Sequence, residues 1–116
     1  MTKPLTHTIF MLVKTTTTWL ALAPPARFAF LGDVIVPILK ANPTVTMRFF
    51  DSEAFYARAS DVIAWETADL GAYQRVVEAL RESSFWGTYF DVVEIIPSIE
   101  NAYAAHYGVA PISAAS

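Results

Sequence analysis

The chain has 116 residues, of which 54% are hydrophobic, 14% aromatic and only 16% charged, whereas an average soluble domain carries about 25% charged residues. Its net charge is −3, its 8 Lys and Arg are scattered, and it holds no cysteine and two histidines. These figures exclude a nucleic-acid partner, a disulfide frame, a thiolate or multi-histidine metal centre and intrinsic disorder, and leave a single domain over residues 1–116 with unusually little charge to keep its surface wet.

The first predicted strand covers residues 7–14, His7-Thr8-Ile9-Phe10-Met11-Leu12-Val13-Lys14, a nearly continuous apolar run that suits a strand covered on both faces. Lys14 and the threonines of residues 15–18 interrupt that run. Although Ala21-Leu22-Ala23 imitates a cleavage site, no stretch reaches the length of a signal peptide or a membrane helix, and a cytoplasmic location is expected. A loop follows over residues 15–24. Pro24-Pro25 then opens a helix, where the missing N–H costs nothing. Phe28, Leu31, Ile35, Ile38 and Leu39 form its apolar stripe. Pro37 lies inside this helix and is expected to kink it by withholding a bond from the Asp33 carbonyl. Ala41-Asn42-Pro43 ends it.

A second strand is predicted over residues 44–51, with Thr46, Arg48 and Phe50 on one side and Val45, Met47 and Phe49 on the other. The turn Ser52-Glu53-Ala54 leads to a third strand over residues 56–66. Asp69 is a suitable N-cap for a second helix whose buried stripe is Leu70, Tyr73, Val76, Val77 and Leu80. A fourth strand follows over residues 89–96, closed by Pro97, and a frayed tail is expected over about 108–116. The order β-α-β-β-α-β is that of a ferredoxin-like α+β sandwich, with both helices on one face of a four-stranded antiparallel sheet.

Two helices cover only one face of such a sheet. A wet second face would show polar alternation, yet Phe10 and Leu12 oppose Ile9, Met11 and Val13, and Tyr89, Val93 and Ile95 oppose Phe90, Val92 and Ile96. The simplest solution is a homodimer with two sheets face to face, closing a dimeric α/β barrel able to hold one small ligand.

Several segments carry a resemblance. Val13-Lys14-Thr15-Thr16, Trp19-Leu20-Ala21-Leu22 and Pro37-Ile38-Leu39 are similar to the opening of the darcynin family. Arg48-Phe49-Phe50-Asp51-Ser52-Glu53-Ala54-Phe55, followed by Ser60-Asp61-Val62 and Trp65-Glu66-Thr67, resembles its most recognisable segment. Leu80-Arg81-Glu82, Phe85-Trp86 and Glu100-Asn101 match as well. The resemblance implies a dimeric α/β barrel, in a family whose function is unassigned. Related barrels include cofactor-free monooxygenases, polyketide cyclases, muconolactone isomerases and haem enzymes, an analogy of fold alone.

Arg48, mid-strand among apolar neighbours, is either a cavity arginine for a carboxylate or enolate, or the partner of Asp51, Asp61, Glu66 or Glu94. Asp61 and Glu66 are an odd number of residues apart and point to opposite faces, so either one faces the cavity as a base and the other lies at the strand end on the helix side, or each simply pairs with Arg48 or Arg58. Glu94, read on the side of Phe90, Val92 and Ile96, is a further candidate base or an edge residue reaching solvent. Trp19, Phe50, Tyr56, Trp65 and Trp86 are the candidates to stack on an aromatic ligand, Trp65 first among them, with core packing as the alternative. His7 and His106 sit near the ends of the chain, so no metal and no cofactor are expected. The expected function is that of a small-molecule barrel. It is either a cofactor-free enzyme of proton transfer, cyclisation or oxygenation on an aromatic or polyketide-like metabolite, or a non-catalytic binding or interaction protein.

Overall fold

In a computed structural model that describes residues 5–112, the chain runs through four strands paired in the order β2-β3-β1-β4, all antiparallel. Strand β1, His7–Thr15, lies at the centre. Its odd residues Ile9, Met11 and Val13 are buried, while Phe10 on the opposite side is partly open. The stretch read as a loop holds a short helix, α1, Thr17–Leu20. Four threonines hide it, because β-branched residues are poor helix formers. The Thr16 side chain caps it by accepting the Trp19 N–H at 3.3 Å, and Trp19 turns into the core.

The proline-opened helix comes in three parts: α2, Pro24–Phe30; a π turn, Leu31–Ile35; and α3, Val36–Ala41. The expected kink at Pro37 appears as this π turn just upstream, where Val36 N–H bonds the Leu31 carbonyl five residues back. Pro37 offers no N–H and its ring crowds the preceding turn, and a wider turn relieves that crowding without breaking the helix.

Strand β2, Thr46–Asp51, is joined to β3, Asp61–Thr67, by a loop over residues 52–60. The third strand therefore starts five residues later than its predicted beginning at 56. The loop is pinned: Phe55 and Tyr56 both donate backbone N–H to the Ser52 carbonyl at 3.0 Å, and Ser52 N–H reaches the Ser60 carbonyl at 2.8 Å. Helix α4, Leu70–Arg81, begins at Asp69, whose side chain accepts the Ala72 N–H at 3.1 Å, as its sequence suggests. Strand β4, Phe90–Ser98, runs through Pro97 rather than stopping at it. An edge strand tolerates the missing N–H. The tail forms a short helix, α5, Ala102–His106; the last four residues of the predicted frayed end, 113–116, lie outside the described residues.

The core forms where the helices meet one face of the sheet. Ile9, Met11, Val13, Ile63 and Trp65 point to that side and pack with Ile35, Val76, Leu80 and Phe85. The chain is thus an α+β protein with the ferredoxin-like order of elements. The other face carries Phe10, Leu12, Phe50, Val62 and Ile96, with Phe50 43% and Ile96 42% exposed, so the strands are apolar on both sides. A register shift between Leu12 and Val13 leaves an extra residue in β4 and reverses its faces beyond that point. Glu94 pairs with Leu12 and Ile96 with Phe10, on the open face, whereas Phe90 and Val92 point to the helices. The placement of Glu94 and Ile96 beside Phe90 and Val92 is therefore corrected by the bulge.

Candidate functional site

At the end of the sheet where β2 stops and β3 starts, a cavity of about 750 Å³ opens between the helix-side face, α1, α2 and the 52–60 loop. That volume suits a small organic ligand. Trp19, Phe28, Leu31, Phe49 and Phe90 supply apolar walls. Asp51, Glu53, Tyr56, Ser60 and Asp61 supply the polar ones, with Lys14 and Arg27 at the margin.

Sheet register builds the acidic floor. Asp51 is the last residue of β2 and Asp61 the first of β3, and the two are direct cross-strand partners on the helix-side face. Glu53 follows in the loop, and carboxylate oxygens of Asp51, Glu53 and Asp61 lie within 4.8 Å of one another. Asp61 is 3% exposed. Burial lifts its carboxyl from the usual 3.8 to about 6; a hydrogen bond from Ser60 pulls it back, and a hydrogen bond and charge from Asp51, with the Glu53 charge, push it up. Ser60 is well held: its hydroxyl donates to Asp61 Oδ2 at 2.7 Å and accepts the Thr15 N–H at 2.8 Å. Lys14 Nζ donates to the Ala57 carbonyl at 2.9 Å, tying β1 to the loop, and Arg27 bonds the carbonyls of Trp19 and Leu20. Among the described residues neither cation forms an ion pair with the acidic floor. Three carboxylates are a hard oxygen set of the sort a divalent cation takes, although two of the three are exposed.

Of the residues singled out from sequence, only Asp61, Tyr56 and Trp19 line this cavity. Trp65, expected to face a ligand, is 1% exposed in the core beneath the helices, with its Nε1 buried and unpartnered. Arg48, Glu66 and Phe50 stand on the open face: Arg48 pairs in register with Ala64, Phe50 with Val62, and Glu66 with Thr46. The Arg48 guanidinium lies 5.0 Å from the Phe50 ring centroid, and among the described residues Arg48 has no ion pair with any of its four suggested partners. Glu94 is exposed on the same face, on the opposite edge strand. Asp61 and Glu66 do point to opposite faces, and the cavity-facing one is Asp61, on the helix side rather than between two sheets. The carboxylates missing from the sequence-based set are Asp51 and Glu53. Their signal was the spacing of Asp51 and Asp61 about a turn, which pairs them only if the loop fills residues 52–60.

Neither histidine lines the cavity: His7 and α5 lie toward the other end of the sheet. Among the described residues no helix is long and apolar enough to cross a membrane.

The fold is a ferredoxin-like α+β arrangement, and it is similar to that of solved chlorite dismutases. Solved chlorite dismutase structures from Candidatus Nitrospira defluvii superpose on it. One variant reaches a TM-score of 0.73 at 11% identity over 94% of this chain, and the imidazole complex 0.71 at 13% over 97%. The chain spans just under half of theirs, 45% and 46%, and at such identity the likeness is one of fold. The darcynin profile, described as a domain of unknown function, matches residues 2–116. A darcynin homolog of Granulibacter bethesdensis is 47% identical over 92% of this chain and 87% of its own, and one of Streptomyces avermitilis 44% identical over 91% and 88%. The chain belongs to the darcynin family.

Proposed function

We propose that this protein binds a small, flat, largely apolar metabolite in the helix-side cavity and moves a proton at Asp61. The buried Asp61 carboxyl carries the reading: it forms the floor of a cavity walled by aromatic rings, and burial brings it to about 6. A general base works best when its pKa lies near the working pH. At neutral pH Asp61 is largely ionised, so it accepts a proton from an acidic C–H placed over it. The shared hydrogen bond with Asp51 and the Ser60 hydroxyl hold it in place. The flat walls suit an aromatic or polyketide-like substrate, and proton abstraction from such a compound begins an isomerisation, a cyclisation or a cofactor-free oxygenation in which the carbanion is oxidised by dissolved dioxygen. The cytoplasm is the proposed setting, on the cysteine-free composition.

Trp19 lines the cavity and reports on its contents by fluorescence. A panel of aromatic and polyketide-like compounds is titrated against the wild-type chain and Asp61→Asn, and solvent deuterium incorporation into any bound compound is followed by mass spectrometry. Binding with deuterium exchange in the wild type alone supports proton transfer. Binding with no exchange in either chain rejects catalysis in favour of a binding protein, and no binding by any compound rejects the cavity as a site for this class.

A further inference from the structure

Lys14 and Arg27 both line the cavity, and they differ in what they have left to give. Lys14 is exposed, and its ammonium is engaged with the Ala57 carbonyl. Arg27, on α2, is half-buried. Its Nε–H bonds the Trp19 carbonyl at 3.3 Å and its Nη2 the Leu20 carbonyl at 3.0 Å, which ties the guanidinium to the end of α1. Those two bonds use one side of the fork. The end of the fork, where N–H groups of Nη1 and Nη2 lie side by side, has no partner among the described residues, and Arg27 forms no ion pair with Asp51, Glu53 or Asp61. A half-buried guanidinium with open donors beside an apolar cavity calls for an anion in the space it lines.

We propose that the substrate is a planar β-diketone, neutral when it enters, and that Arg27 holds the enolate oxygens formed when Asp61 removes the proton from the carbon between the two carbonyls. Arg27 thereby completes the reading of Asp61 as the base, on which its own role rests, by supplying the group that receives the charge.

The step balances within the cavity. The central C–H bond breaks, its proton passes to the Asp61 carboxylate, and its electron pair moves onto the carbonyl oxygens. Asp61 loses a negative charge as the ligand gains one. That balance selects the substrate. The cavity wall already carries three carboxylates against two cations, so a permanent anion such as an aromatic carboxylate would add to the like-charge repulsion. A neutral ligand that turns anionic only as Asp61 turns neutral leaves the total unchanged. Two carbonyls are needed, because a carboxylate is far too weak a base for the C–H beside a single ketone. Their two oxygens also lie side by side in the plane of the enolate, as the end of a guanidinium fork requires. The Trp19 and Leu20 carbonyls fix that fork before any ligand arrives, so its donors are in place as the charge develops. Trp19, Phe28 and Phe49 supply the flat walls.

Benzoylacetone is the probe. Its binding is measured by calorimetry, its ionisation when bound by ultraviolet absorbance as pH is raised, and exchange of its central C–H by mass spectrometry in deuterium oxide. Bound to the wild type, it is expected to form its enolate about one pH unit lower than in buffer, which makes it roughly a tenfold stronger acid, and to exchange faster than in buffer. Arg27→Gln, checked for folding by circular dichroism, should bind the probe without the shift. Arg27→Lys, which keeps the charge and loses the fork, should recover part of it. An unshifted probe on the wild type, the full shift in Arg27→Gln, or tighter binding of benzoate than of the diketone would each overturn the proposal. Asp61→Asn separates it from the reading beneath it. Exchange lost in Asp61→Asn but unchanged in Arg27→Gln keeps Asp61 as the base and removes Arg27, whereas a wild type that fails to bind the probe or to speed its exchange removes both.

Discussion

Replacing Asp61 with asparagine should make the protein more stable at neutral pH. The folded chain holds the Asp61 proton until about pH 6, whereas an unfolded chain releases it near 3.8. A carboxyl whose folded pKa is raised contributes stability that is complete below the unfolded value and is lost as pH climbs through the folded one. The gap is worth about 3 kcal/mol, at about 1.4 kcal/mol per pH unit. The loss accumulates between about pH 4 and 6 and stays constant above. Asparagine keeps the shape and an acceptor for Ser60, and it carries no charge to bury. Urea denaturation of both chains from pH 4 to 8 reads the Asp61 effect together with its interaction with Asp51 and Glu53. The difference should be small at pH 4 and grow to about 3 kcal/mol in favour of Asp61→Asn by pH 7, on the order of 10 °C in Tm for a domain of this size. A difference that is flat with pH would refute the raised carboxyl, and with it the case for Asp61 as a base poised near neutrality.

Ser60→Ala removes the one hydrogen bond that favours the Asp61 carboxylate, so the Asp61 titration followed by carbon NMR should move further above 6. Asp69→Ala leaves the Ala72 N–H without its cap and should cost about 1 kcal/mol in denaturant, with no change in cavity binding. Leu80→Ala opens a hole beneath the sheet at a residue 1% exposed and should cost about 2–5 kcal/mol, read as an earlier urea midpoint.

Periodicity made the helices and the order of strands legible. The Asp69 cap and the buried Val76 and Leu80 of α4 stand as the spacing suggests, whereas Leu70 of the predicted stripe is exposed and Ala72 is buried instead; the doubly apolar β1 does have one face under helices and the other open. What escaped depends on register, which no single strand displays. Glu94 changed sides because β4 carries an extra residue, which no residue type announces, opposite Leu12 and Val13 of β1. The cavity escaped because Asp51 and Asp61, ten positions apart in sequence, become neighbours only when β2 and β3 pair and the intervening loop is pinned at Ser52 and Ser60. Trp65 looked available between two acids, yet its alternation aims it at α4 and the core, where packing claimed the largest ring on the strand.

Pro97 sits within β4, at the outer margin of the sheet, a few residues beyond the bulge. A chain approaching that margin meets a missing donor and a distorted ladder, so it cannot zip on as a fifth strand. For a sequence this poor in charge, the danger most to be feared is open-ended growth into fibrils, and proline blocks that growth at the β4 edge. Replacing Pro97 with valine would restore the donor, and the protein would be expected to shorten the lag before thioflavin-positive aggregates appear.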